Sequence, residues 1–346
     1  MTDIKSYTLP QLEAFIKEMG EQSFRAKQIF TWLHQKQVKS FDEMTNLSSA
    51  LREKLAKQCY INEIVIKKKL VSALDGTQKF LFLLRDGETV EGVLMHYKHG
   101  TSLCISTQVG CKMGCSFCAS TLMGFCRSLT ASEMLDEIYA AGREAGERID
   151  SVVLMGIGEP LDNLRNVLAF LDILSSPDGI NLGARHVSLS TCGIVPQIYE
   201  LLKEKPQVTL SISLHAPNNT LRDKLMPINQ KYKIEELMRA CKAYFEATGR
   251  RISYEYSLIS GVNDSDACAV ELACLLRGQV AHVNLIPINE VKEHSQKKST
   301  PARVKEFLNI LEKHKITATV RRELGADISA ACGQLRREAK GEEKGV

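Results

Sequence analysis

An α/β fold, a partial (β/α)6-type barrel with a small N-terminal helical domain and a short antiparallel β extension, is what three features of the sequence predict. After Cys104 about six strand-like runs alternate with helix-spaced segments. The strand-like runs are nearly continuous in apolar residues, as strands covered on both faces are. The polar motifs fall just after those runs, where parallel α/β sheets collect their chemistry.

The elements follow in chain order. Residues 8–58 carry helical spacing, with Leu12, Phe15, Ile16, Ile29, Phe30 and Leu33 recurring at intervals of three and four, and Trp32 reads as part of that core. From Ile61 to Tyr97 short β-branched runs are separated by Asp75-Gly76-Thr77 and Asp86-Gly87-Glu88, which predicts hairpin-connected strands. A first parallel strand is expected near residues 102–106, then SVVLMG with a helix over 161–175, HVSLST with 194–204, and QVTLSISL with 218–225 and 233–248. RISYEYSLI with 264–277, HVNLIPI with 301–314 and ITATVRR complete the series. Six units suit an open or partial barrel better than a closed eightfold one. The expected division is 1–62 helical, 63–100 extension, 101–335 barrel core and 336–346 a solvated charged tail.

Composition excludes several classes. With 44% hydrophobic and 25% charged residues the chain is an ordinary globular one, not disordered or collagenous. No apolar stretch approaches the roughly 20 residues that span a bilayer. The first fifteen residues lack a basic region followed by an apolar run, so a cytoplasmic location is expected. Eleven cysteines in a long chain without such a leader point to metal or redox chemistry rather than a disulfide scaffold. Residues 1–70 hold twelve Lys and Arg against eight Asp and Glu, while the rest is balanced. That asymmetry hints at nucleic acid, although taken alone a solvated helical face is the more frequent cause of it.

Cys111-Lys-Met-Gly-Cys115-Ser-Phe-Cys118 is the most informative octet. Three thiolates so close, just after a strand, can ligate three irons of a four-iron cluster and leave the fourth open. Zinc is the alternative, and a closed zinc site would need a fourth ligand, for which Cys104 and Cys126 are nearest. Gly156-Ile157-Gly158-Glu159-Pro160 follows another strand, where a glycine turn lets carbonyls and the Glu159 carboxylate approach a cationic group; alone it is only a tight loop. Ser190 and Ser213-Leu214-His215 stand at further strand ends, where each is also readable as a satisfied structural group.

The Cys-x3-Cys-x-aromatic-Cys spacing resembles the radical S-adenosylmethionine superfamily. Within it, five separated stretches resemble the RlmN/Cfr family of adenine methyltransferases: 100–111 (GTSLCISTQVGC), 156–163 (GIGEPLDN), 190–196 (STCGIVP), 213–218 (SLHAPN) and 327–335 (DISAACGQL). The resemblance covers nearly the whole chain. It implies one 4Fe-4S cluster on Cys111, Cys115 and Cys118, and two S-adenosylmethionine molecules per turnover, as methyl donor and radical source. Gly158, Glu159, Ser190, Ser213, Leu214 and His215, at strand ends, are expected to contact this cofactor, and Asn289 matches a position that contacts it in the family.

By the same resemblance Cys332 accepts a methyl group, a radical taken from that methyl adds to the adenine ring, Glu91 removes the ring proton, and Cys104 resolves the tethered adduct by forming a disulfide. Unaided, Glu91 reads as a solvent-facing strand residue, and Cys332 and Cys104 as small buried hydrophobes. The implied partners are large-subunit rRNA and tRNA, together with a reducing donor such as flavodoxin or ferredoxin, acting on a monomer without membrane attachment. Lys36, Lys39, Lys54, Lys57, Lys67, Lys68 and Lys69 would give residues 1–62 and the adjoining strand a grip on RNA. The wording of 190–196 and 321–335 favours methylation at C2. Methylation at C8, another radical enzyme sharing the same front end, and a non-catalytic iron–sulfur RNA-binding redox sensor are the alternatives.

Overall fold

The structure is a computed structural model and describes residues 1–122, 124–205, 207–288 and 295–330. At the N-terminus β1 (Thr2–Asp3) and β2 (Cys59–Tyr60) pair in parallel and bring together the two ends of a module holding α1 (Leu9–Glu18), α2 (Phe24–His34) and α3 (Ser49–Gln58). The starts are written in the sequence. Gln11 Oε1 accepts the Thr8 N–H (2.9 Å) beside Pro10 at the head of α1, and Ser48 Oγ accepts the Leu51 N–H (3.3 Å) at the head of α3. Trp32 sits half-buried at the module's edge rather than in its core, because its Nε1–H needs a partner and finds Asn46 Oδ1 at 2.6 Å.

Four strands follow: β3 (Val65–Val71), β4 (Gln78–Leu83), β5 (Thr89–Tyr97) and β6 (Gly100–Ile105), each antiparallel to the next. A short antiparallel pair, β7 (Gln108–Gly110) and β8 (Phe125–Ser128), brackets the cysteine loop, and α4 (Ala131–Ala145) leads to β9 (Ser151–Leu154). Helix α4, not among the expected segments, opens with a reciprocal cap between Thr130 and Glu133. Next come α5 (Leu164–Ser175), β10 (Val187–Thr191), α6 (Val195–Glu204), β11 (Thr209–Ser213), α7 (Asn219–Leu225), α8 (Ile228–Lys231) and α9 (Ile234–Thr248). The chain then runs through β12 (Ile252–Leu258), α10 (Asp266–Leu275), β13 (Ala281–Pro287), α11 (Pro301–Lys313) and β14 (Thr317–Val320).

Ten of these strands form one sheet in the order β14-β13-β12-β11-β10-β9-β6-β5-β4-β3. Pairing is parallel from β6 through β14, giving six crossovers, and antiparallel from β6 back to β3. Among the described residues the edge strands β14 and β3 are not paired with one another, so the barrel is open. The antiparallel extension therefore continues the barrel's own sheet through β6. One continuous apolar cluster runs from the N-terminal helices under the sheet to α11. The N-terminal module is also pinned to α4 by a buried ion pair, Lys5 Nζ to Asp136 Oδ1 (2.7 Å). Burial raises the Asp136 carboxyl to about 6 against the opposing pull of Lys5. No described helix is long and apolar enough to cross a membrane.

Candidate active site

The period of two in the extension sorts its side chains cleanly. Phe80, Phe82, Val90, Leu94, Leu103 and Ile105 are buried in the core. Register pairs Leu81 with Glu91, Lys79 with Val93, and Val93 with Cys104, so Lys79, Glu91 and Cys104 share the other face. Glu91 is buried there, not solvent-facing, and its Oε2 lies 3.1 Å from Lys79 Nζ. Cys104 is half-buried; burial pushes its thiol up to about 11, with Arg321 opposing.

Both residues line a cavity of about 500 Å³ at the C-terminal ends of the parallel strands. Its walls include Phe117 from the cysteine loop, Gly156 after β9, Ser257 on β12, and the segment after β14 with Arg321, Ser329 and Ala330. Asp327 fastens that segment to the β3–β4 turn, accepting from Ser72 Oγ (2.6 Å) and Ala73 N (2.8 Å), and Asp75 Oδ2 accepts the Gly325 N–H (3.0 Å). Lys79 Nζ donates to the Ser329 carbonyl (2.8 Å). Cys332 and Asn289 lie outside the described residues.

The cysteine loop is held from three sides. Gln108 Nε2 donates to Asp162 Oδ2 (2.8 Å) while its Oε1 accepts the Glu159 N–H (2.9 Å), and Lys112 pairs with Asp162 (2.9 Å). Ser116 N–H donates to the Leu225 carbonyl at the end of α7 (2.9 Å), and Phe117 meets the His215 ring edge-on at 4.9 Å between centroids. Cys111 is buried, and Cys115 and Cys118 are half-buried. Burial pushes the Cys111 thiol up to about 12 with Cys118 adding to it, and raises Cys115 further, with Cys118 and Cys111 adding. Cationic irons would reverse both shifts. Three thiolates within one octet can each take one iron of a cluster. The donor set fits a four-iron cluster.

Close approach explains the glycine turn. Gly158 has φ +108°, and a Cβ there would lie 2.6 Å from Gln108 Cβ; a Cβ on Gly156 would lie 2.5 Å from the Ile105 carbonyl oxygen. Glu159 is buried, and its two oxygens accept backbone N–H groups of Leu161 (3.0 Å) and Cys192 (2.8 Å). Burial nonetheless raises its pKa. Ser190 and Ser213, at the ends of adjacent strands β10 and β11, hold their hydroxyls 3.3 Å apart. The Leu214 side chain is in the core, its N–H donates to the Glu255 carbonyl (3.1 Å) and its carbonyl accepts from Arg222 Nε (3.1 Å). His215 is buried; its Nδ1 accepts the Ser257 N–H (2.9 Å), which fixes the proton on Nε2, and burial pushes its pKa down to about 3.

Two residues of this site had no role from sequence. Lys79 was hidden in an apolar run, though the Asp86-Gly87 turn sets the register that puts it diagonal to Glu91. Arg222 gave no signal: it is fully buried and donates to the carbonyls of Cys192 (2.6 Å), Ser213 (3.1 Å) and Leu214 (3.1 Å) and to Asn229 Oδ1 (3.0 Å).

Known proteins resemble this chain over nearly its whole length. A family model described as ribosomal RNA large subunit methyltransferase N-terminal domain matches residues 2–61, and one described as radical SAM superfamily matches residues 105–272. A probable dual-specificity RNA methyltransferase RlmN of Lachnoclostridium phytofermentans is 53% identical over 335 residues, covering 97% of this chain and 94% of that protein. Its counterpart in Alkaliphilus oremlandii is 54% identical over 336 residues, covering 97% and 98%. The crystal structure of a radical SAM methyltransferase from Sphaerobacter thermophilus superposes with a TM-score of 0.89 at 44% identity, covering 96% of this chain and 99% of that one.

Proposed function

Because the chain belongs to the RlmN family of radical S-adenosylmethionine RNA methyltransferases, we propose that it methylates C2 of an adenosine in 23S rRNA and of the adenosine 3′ of the tRNA anticodon. The observation that carries this reading is the shared cavity: Glu91 and Cys104 face it from adjacent strands, and the segment leading to Cys332 closes it. Cys111, Cys115 and Cys118 hold the cluster, and the 156–160 turn, Ser190, Ser213, His215 and Asn289 cradle S-adenosylmethionine. When bound, the pair supplies one-electron cleavage of a sulfonium carbon–sulfur bond and hence a radical able to take hydrogen from a methyl group.

The protein's own part is acid–base and thiol chemistry. Cys332 carries the incoming methyl as a thioether. Once its methylene carbon is bonded to C2, Glu91 accepts the C2 proton, and the odd electron left in the ring would pass to the oxidised cluster. Cys104 Sγ then bonds to Cys332 Sγ. The sulfur–methylene bond breaks, its electron pair goes to the methylene carbon, and that carbon takes up a proton to become the product methyl. A thiol held near 11 by burial must lose its proton first, so this last step quickens as pH rises. Residues 1–62 grip the RNA, a flavodoxin or ferredoxin supplies electrons, and the enzyme works in the cytoplasm.

The test is mass spectrometry of nucleosides from unmodified rRNA and tRNA treated with the reconstituted holoenzyme and with C104A. Wild type is expected to give 2-methyladenosine in both RNAs, and C104A a covalent protein–RNA adduct at Cys332. An 8-methyladenosine product, or methylation by C104A at the wild-type rate without an adduct, overturns the reading.

A further inference from the structure

Lys79 is the buried cation that the proposed chemistry leaves without a task. It is fully buried on β4, its Nζ is 3.1 Å from Glu91 Oε2, and it donates to the Ser329 carbonyl at 2.8 Å. A buried ammonium 3.1 Å from a carboxylate oxygen fixes the direction of that carboxylate. The carbonyl contact adds a second constraint: the same ammonium holds the backbone three residues before Cys332.

We propose that Lys79 is a positioning residue for the deprotonation step of the reaction: it keeps Glu91 aimed into the cavity, and ties that base to the segment carrying the methyl acceptor. This rests on the assignment of Glu91 as the base. In the step concerned the C2 proton moves to a Glu91 oxygen, the carbon–hydrogen bonding pair stays in the ring, and the odd electron of the adduct would pass to the oxidised cluster. Cys104 on β6, Lys298, and Arg321, Arg322 and Glu323 after β14 also face the cavity, and Glu137 on α4 lies behind β6, where it accepts the Ser106 N–H. The readout must therefore isolate the Glu91 step from thiol ionisation.

Working in the C104A holoenzyme does so, because the adduct is held before the thiol acts. RNA transcribed with adenosine deuterated at C2 is reacted between pH 6.5 and 9, and loss of deuterium from the trapped adduct is followed by mass. C104A/K79M should lose the label at least tenfold more slowly than C104A at pH 7 while forming the same amount of adduct, and C104A/K79R should return to the parental rate. If K79M does not yield folded, iron-loaded protein, K79Q is read in the same way. Label loss by C104A/K79M at the parental rate overturns the proposal, as does a slowing that arginine does not reverse. C104A/E91Q separates the two assignments. Retention of the label at every pH upholds Glu91 as the base and leaves Lys79 to its own variants. Loss at the parental rate removes the base assignment and this inference with it.

Discussion

His34 and His215 are both deeply buried, and burial pushes each down to about 3 from the ordinary value of 6.5. Lys5 adds to the shift at His34, whose Nδ1 sits 2.9 Å from the Tyr139 hydroxyl. Below pH 6.5 the unfolded chain binds protons on these rings that the folded chain refuses, so stability falls as pH drops from 6.5 toward 3, by up to roughly 1.4 kcal/mol per pH unit for each ring. Urea titrations at pH 7, 6, 5 and 4.5 should therefore show a steep acid decline, shallower by about one proton in H34Q; equal slopes would dissociate His34 from the effect. At this scale the sequence is least informative. Glu91 reads as a surface carboxylate until the strand register shows which face it occupies, and the burial of Arg222 has no local signature at all.

Elements were far more legible, because helix and strand periods and caps are local signals. The helices expected at 194–204, 233–248 and 301–314 are observed as Val195–Glu204, Ile234–Thr248 and Pro301–Lys313. Helix α4 stands between the cysteine loop and β9, outside the strand-to-helix pairs that the alternation predicts. What no periodicity conveys is how the loops at the strand ends are locked together. Arg222 reaches from α7 to the carbonyls after β10 and β11, and α7 in turn holds the cysteine loop through the Leu225 carbonyl. Methionine in its place would orphan three buried carbonyls at about 1–3 kcal/mol each before relaxation. R222M is expected to show a lowered urea midpoint and reduced iron content per chain after reconstitution, and full retention of iron would show the loops to be independently held.

For the whole molecule, the sheet joins two kinds of pairing at β6, and the proposed base and resolving thiol stand on either side of that junction, on β5 and β6. The basic character of the first seventy residues is partly spent internally. Lys39 pairs with Glu63, Lys54 reaches the Met19 carbonyl and Glu21, and Lys69 pairs with Glu144 (3.0 Å). Lys57 and Lys68 are exposed. Reversing both in K57E/K68E should weaken RNA binding and flatten its logarithmic salt dependence by about 1–2, with the iron content unchanged; an unaltered salt slope would place the RNA elsewhere.

Pinning the Ser329 carbonyl to Lys79 sets a leash on Cys332. Three residues of fully extended chain reach about 10 Å, and no conformation of the residues between can lengthen that radius. The thiol cannot travel out to a nucleotide stacked within a helix. For the proposed reaction the adenine would have to swing out of its stack and come inside the circle the leash describes, so that RNA whose target base resists extrusion would be turned away by distance.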